Sequence, residues 1–244
     1  MALSTLAGGH LVTGHSRRFS HHADVKGAGG RLTSSIVETV RDADLVCVNV
    51  FSEEQLRDAL FANKGLAALR PGAMLAIHST VSPVLISELT SARPDIDVLD
   101  AGFSGSADDA AKGQLTLMVG GQADAVDRAQ PVFRCYANTI SHLGPSGAGM
   151  TLKILNNLLF AAQMNLGREA ISIATEHGIA VKDALATLLG GSAASFALGT
   201  YQQGPDPLDR FERTRPYMEK DVAIGHAAFP GLRDIKDATR IFVE

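Results

Sequence analysis

Over the first two-thirds of the chain, short β-rich runs alternate with amphipathic segments. LVTGH (11–15) is a short strand candidate, and ADLVCVNVF (43–51) is a near-continuous apolar, β-branched run, the pattern of a strand buried on both faces. AMLAIHST (73–80) and DIDVLDAGF (95–103) predict further strands, and QLTLMVGG (114–121) alternates before a glycine pair. Helix starts lie between them. Ser52 precedes EEQLRDAL with Gln55 placed to complete a capping box, and Ser82-Pro83 opens VLISELT with proline where its missing N–H costs nothing. Strands alternating with helices predict a doubly wound parallel sheet.

After Gly149 the pattern changes. From Met150 to His177 there is no proline and one glycine, Gly167, and the periodicity is helical, which predicts a helix of roughly 40 Å. VKDALATLLG, SAASFALGTYQ and YMEKDVAIGHAAF continue the helical pattern, while QGPDPLDRFERTRP (203–216) reads as a polar, proline-rich loop. No strand is evident beyond residue 150. The glycine-rich GPSGAGM (144–150) marks the boundary, with an α/β domain over 1–146 and an all-helical domain over 147–244.

Composition narrows the function classes. With 26 acidic against 22 basic residues and a net charge of -4, binding to nucleic acid through bulk charge is not expected. No stretch approaches the ~18 apolar residues of a membrane span, and the first residues lack the basic-then-apolar pattern of a signal peptide. Two cysteines, Cys47 and Cys135, fit a reducing compartment, so the expected location is cytoplasmic. The eight histidines show no metal-site spacing, and no metal is expected.

Three places carry candidate chemistry. Lys153 and Asn157 lie four residues apart, hence on one helical face, in an otherwise apolar segment. That lysine is either an interfacial residue with a solvated tip or a partly buried group suited to proton transfer. GFSGS (102–106) ends a strand, where ligand sites of α/β folds gather. It fails the Gly-x-Ser-x-Gly test of a nucleophile elbow because Ser106 replaces the last glycine, which leaves an anion-cradling turn or an ordinary one. Arg17-Arg18 directly follow a strand candidate, as a solvated turn or as a group that accommodates a ribose 2′-phosphate.

Together these segments resemble the β-hydroxyacid dehydrogenase family, whose best-known member is 3-hydroxyisobutyrate dehydrogenase. DAGFSGS (100–106) and GQLTLMVGG (113–121) match the family's substrate motif and the strand that follows it. GAGMTLKILNN (147–157) matches its Gly-x-Gly-x-x-x-Lys-x-x-x-Asn stretch. STVSP (79–83) resembles the segment that contacts nicotinamide, and EKDVAIG (219–225) the later Lys-Asp motif of a helical domain like that of 6-phosphogluconate dehydrogenase.

The resemblance implies an NAD(P)-dependent oxidoreductase interconverting a small 3-hydroxy acid and its aldehyde or ketone. Lys153 would be the general acid/base, Asn157 would position substrate, and Ser104 and Gly105 would bind its carboxylate. Thr80 would lie near nicotinamide, with Val50 and Phe51 beside the cofactor at the position of a usual Leu-Pro pair, and Lys220 would close over it. Arg17 falls where many relatives have Asn-Arg-Thr, so NADP is expected, with NAD as second candidate, and a homo-oligomer formed through the helical domain. Relatives begin with a strand and a Gly-x-Gly-x-x-Gly turn. MALSTLAGG resembles the end of the helix that follows that turn, so the expected fold is a Rossmann-like parallel sheet lacking its first strand, then an all-α domain entered by a long helix. The C-terminus also stops before the family's further helix. Two alternatives stand beside this reading. One is an imine-reductase-like enzyme, a group that generally lacks the lysine seen at 153. The other is a non-catalytic remnant serving as an oligomerisation or interaction module.

Overall fold

The computed structural model describes residues 1–16, 22–203 and 207–243. They divide into two compact units, Met1–Lys153 and Ile154–Glu244.

The first unit opens with α1 (Ala2–Ala7), β1 (Thr13–His15), α2 (Ala23–Gly27), β2 (Arg31–Thr33) and α3 (Ile36–Val40). It continues through β3 (Leu45–Val48), α4 (Glu53–Arg57) with a π turn over Asp58–Ala62, α5 (Gly65–Ala68), β4 (Met74–Ile77) and α6 (Pro83–Ala92). It ends with β5 (Asp97–Ser104), α7 (Ala107–Ala111), β6 (Leu115–Gly120), α8 (Ala123–Phe133) and β7 (Ala137–His142). Strands β1 and β2 pair in parallel as one sheet, and β3-β4-β5-β6-β7 form another. All neighbours in the larger sheet are parallel except β5 and β6, whose antiparallel register sets Gly102 opposite Met118 and Ser104 opposite Thr116.

The parallel α/β class is the expected one. The larger sheet reverses direction at β6 because α7, a single short helix, leaves too little chain for a parallel crossover. β3 departs from expectation. Among the described residues it is hydrogen-bonded on one side only, to β4, so there it is an edge strand with Cys47 exposed rather than a strand buried on both faces. An apolar run carries no information about which strands flank it.

The core gathers on β4, β5 and β6. Leu75, Ile77, Leu99, Leu117 and Val119 are fully buried, closed over by Phe133 and Tyr136. His78, just beyond β4, is a polar member of this core. Its Nδ1 lies 2.6 Å from the Ala101 carbonyl, which can only accept, so Nδ1 holds the proton. Nε2 then accepts from the Tyr136 hydroxyl at 3.1 Å.

The second unit carries most of α9 (Ala148–Glu176), followed by α10 (Val181–Gly190), α11 (Phe196–Thr200), α12 (Pro207–Ala228), α13 (Asp234–Thr239) and a 3-10 turn over Arg240–Phe242. The expected loop over 203–216 is therefore mostly helix. Pro216 sits inside α12, where it removes one i→i−4 bond; the acceptor that loses it belongs to Glu212, an exposed residue that water can reach. Among the described residues, no helix is long and apolar enough to cross a membrane.

Burial lowers the His78 imidazole from 6.5 to about 4. Between those values the unfolded chain binds a proton that the folded chain refuses. Stability from this group is complete above pH 6.5 and is lost as the pH falls towards 4, by about 3 kcal/mol. Urea unfolding at pH 7 and pH 4.5 should show this loss in the parent and a flatter dependence in His78→Gln. Equal slopes would assign the acid sensitivity to other groups.

Candidate active site

The end of β5 and the start of α9 are joined by a buried carboxylate. Asp100 is fully buried and accepts from the Gly147 and Met150 backbone N–H groups, each at 2.6 Å. These are among the donors that a helix N-terminus leaves without an internal partner. Burial pushes the Asp100 carboxyl up, and the N–H groups around it, Gly147 and Met150 foremost, pull it back towards the charged form. Glycine makes the approach possible. A Cβ on Gly149 would lie 2.5 Å from the Met118 carbonyl oxygen, and one on Gly120 2.6 Å from the Asp100 carboxylate.

This junction brings Lys153 against β5. A Cβ on Gly102 would stand 2.7 Å from both Cβ and Cγ of Lys153, so the lysine stem lies directly on the strand backbone. Its Nζ lies 6.0 Å from the centre of the Phe103 ring. Ser104 closes β5, half-buried, and its hydroxyl makes no hydrogen bond within the described residues. Gly105 has φ +129°, open to glycine and strained for other residues. Ser106 caps α7 in a full box with Asp109: its hydroxyl accepts from Asp109 N–H at 3.2 Å and its N–H donates to the carboxylate at 2.7 Å. That N–H is committed, so the anion-cradling reading of this turn keeps only Ser104 and Gly105.

Val50, Phe51 and Thr80 collect at the carboxyl ends of β3 and β4. Val50 N–H donates to Ser79 Oγ at 2.7 Å, linking the two strand ends. Thr80 is buried and Phe51 is exposed. Ser52 caps α4 as expected, yet Gln55 does not complete the box: its side-chain oxygen accepts from Phe51 N–H at 3.0 Å instead of Ser52 N–H. The sequence contains no Gly-x-Gly-x-x-Gly run. Arg17 lies outside the described residues. Among those described, no group of three His, Cys, Asp or Glu side chains could hold a metal ion.

In the second unit Asn157 and Lys220 meet on one carboxylate. Asn157 Nδ2 donates to Asp221 Oδ2 and Lys220 Nζ to Asp221 Oδ1, each at 2.5 Å. Asn157 Oδ1 also accepts from Asn156 at 3.0 Å. The amide is held from both ends, one helical turn beyond Lys153. Asp100, Asp221 and Ser79 all lie inside the quoted motifs, yet the sequence assigned them no role.

Residues 1–144 match the family model described as the NAD binding domain of 6-phosphogluconate dehydrogenase, and 147–229 match that described as NAD-binding of NADP-dependent 3-hydroxyisobutyrate dehydrogenase. The chain belongs to the β-hydroxyacid dehydrogenase family. On that membership it is an NAD(P)-dependent oxidoreductase. The dehydrogenase is 29% identical over 239 residues to an NAD-dependent L-serine dehydrogenase of Pseudomonas aeruginosa, covering 93% of this chain and 80% of that one. To an L-threonate dehydrogenase of Escherichia coli it is 32% identical over 183 residues, covering 73% and 61%. A solved Mycobacterium tuberculosis 3-hydroxyisobutyrate dehydrogenase with L-serine superposes with a TM-score of 0.84 at 26% identity, covering 99% of this chain and 87% of that one.

Removing the Asp100 carboxylate leaves the buried Met150 N–H and the half-buried Gly147 N–H without acceptors, a cost of about 3 kcal/mol. Asp100→Ala should therefore lower the melting temperature by roughly 10 °C, and Asp100→Asn, which keeps one acceptor oxygen, by less. Melting within a degree of the parent would show that the junction holds without it.

Proposed function

We propose that this dehydrogenase interconverts a short 3-hydroxy acid and its carbonyl form, with Lys153 as general acid/base. The observation that carries the reading is the Lys153 stem lying on the Gly102 backbone at the carboxyl end of β5, two residues before the Ser104 hydroxyl. In the oxidising direction, neutral Lys153 Nζ takes the hydroxyl proton as the C–H electron pair leaves; in the reducing direction it returns that proton to the carbonyl oxygen. The bound nicotinamide accepts or supplies the hydride. Ser104 and the Gly105 N–H hold the substrate carboxylate, and Asn157, oriented by Asp221, holds the substrate near Lys153. Thr80, Val50 and Phe51 line the cofactor. The relatives named for L-serine, L-threonate and 3-hydroxyisobutyrate support this substrate class, since each name denotes a small carboxylate bearing a hydroxyl at C3.

The test is NAD(P)H-linked turnover of those three acids by parent and variant. Lys153→Ala should lower kcat by ~10²–10⁴ and leave cofactor affinity nearly unchanged. The limb of the pH profile that reports the base should disappear with it. An equally active variant would remove Lys153 from the mechanism. No turnover and no cofactor binding by the parent would instead favour an interaction module.

Cofactor choice rests on Arg17, two residues past the end of β1 in sequence. A guanidinium forms charge-assisted, often bidentate bonds with phosphate oxygens, worth ~1.5–3 kcal/mol, a preference on the order of tenfold to a hundredfold for NADPH over NADH. Arg17→Asp should reverse the ratio of the two kcat/KM values. An unchanged ratio would show that Arg17 does not meet the 2′-phosphate.

A further inference from the structure

The two faces of β5 carry different chemistry. Leu99, Ala101 and Phe103 face the apolar cluster built with β6 and α8, whereas Asp100 and Gly102 face α9. Phe103 is the last of its row, half-buried at the carboxyl end of the strand. There Lys153 reaches past Gly102 until its Nζ stands 6.0 Å from the Phe103 ring centre. The ring is held from behind. It packs edge-on against the buried His78, with ring centres 6.2 Å apart and planes at 68°. His78 is wedged edge-on in turn against Phe133 at 5.8 Å and Tyr136 at 5.7 Å, both fully buried. Its ring nitrogens are tied to the Ala101 carbonyl and the Tyr136 hydroxyl. The backbone is fixed as well, because Phe103 pairs with Leu117 across the antiparallel ladder. A ring backed by a close-packed core has nowhere to withdraw, since overpacking such a core is itself destabilising.

We propose that Phe103 is a specificity-determining residue that restricts this dehydrogenase to primary alcohols, with an aldehyde rather than a ketone as product. The inference rests on the reading of Lys153 as general acid/base. A hydroxyl that gives its proton to Nζ stands about 3 Å from it, which sets the carbon bearing that hydroxyl beside the ring. Three of that carbon's bonds are committed: the oxygen to Lys153, the departing hydride to the nicotinamide, and C2 towards the carboxylate held at Ser104. The fourth faces Phe103. On a primary alcohol it carries a hydrogen, which the ring tolerates. On a secondary alcohol it carries a carbon, which meets a wall that cannot yield. One methyl group forced against such a wall costs on the order of tenfold to a hundredfold in kcat/KM.

3-Hydroxypropionate and 3-hydroxybutyrate differ by one methyl group on the alcohol carbon. The parent should oxidise the first with a kcat/KM about tenfold or more above that for either enantiomer of the second. Phe103→Ala should close that gap by gaining activity on 3-hydroxybutyrate. A merely structural role would lower both acids together and keep their ratio. An unchanged ratio, or a parent indifferent to the methyl group, overturns the proposal. If Phe103→Ala does not fold, Phe103→Val keeps a β-branched apolar residue in the strand and should move the ratio the same way. Calorimetry with NADPH present, where an alcohol cannot react, reads binding without turnover. The parent should bind 3-hydroxypropionate about tenfold or more tightly than 3-hydroxybutyrate, and Phe103→Val should bind the two alike; equal affinities in the parent overturn the proposal. Lys153→Ala separates this inference from the reading beneath it. Turnover lost in Lys153→Ala, with a ratio that ignores both Phe103 variants, would unseat Phe103 alone. A parent that neither binds nor oxidises 3-hydroxypropionate, or a Lys153→Ala variant as active as the parent, overturns the catalytic reading and the proposal with it.

Discussion

The carboxylate of Asp100, enclosed between a central strand and a helix N-terminus, fixes where the lysine stands. A buried charge is tolerated only where donors replace the water it lost. Here the donors are the Gly147 and Met150 N–H groups, which the helix could not otherwise use. Each element supplies what the other lacks, so neither can slide along the other without exposing an unpaired group. Gly120 and Gly149 let the backbones come this close. Lys153 stands one turn into the helix and Ser104 four residues along the strand, so the spacing between them follows from a single junction.

Much of the fold was legible in the sequence because its signals are local. β4, β5 and β6 are runs of β-branched and aliphatic residues, Ser52 and Ser82 are N-caps, and the 29-residue α9 has no proline to stop it. The failures are non-local. β2 is three residues long and β7, Ala-Asn-Thr-Ile-Ser-His, is largely polar; both exist because a neighbouring strand offers a ladder. The edge position of β3 is likewise a fact about partners. Residues 203–216 misled for a different reason: proline and charge suggest a loop, yet α12 runs through Pro216, and the acceptor left without its bond belongs to the exposed Glu212.

The site divides along the same line. Lys153 and Asn157 stood out because polar residues four apart in an apolar helix violate the local pattern, and Ser104 and Gly105 because they end a strand. Asp100 and Asp221 gave no such signal. An aspartate in a strand, or one following a lysine in a helix, looks ordinary until the fold delivers its partners from 47 to 64 residues away. Residues that break a local pattern stand out in the sequence, whereas residues that orient others are recognisable only by what they touch.

Family membership sets the class of chemistry, and the local departures shape the wall around the lysine. A Cβ at position 102 would meet the Lys153 stem at 2.7 Å, so glycine there leaves that space to the lysine. The freedom that glycine gives the backbone is restrained by pairing with Met118 across the antiparallel ladder. Phe103 then stands beside the lysine tip. At 6.0 Å from Nζ to the ring centre it is at the outer limit of a cation–π contact, whose strength at exposed sites is only ~0.5–1 kcal/mol. Its larger effect is steric: a ring standing beside the amine takes space that water would otherwise occupy on that side.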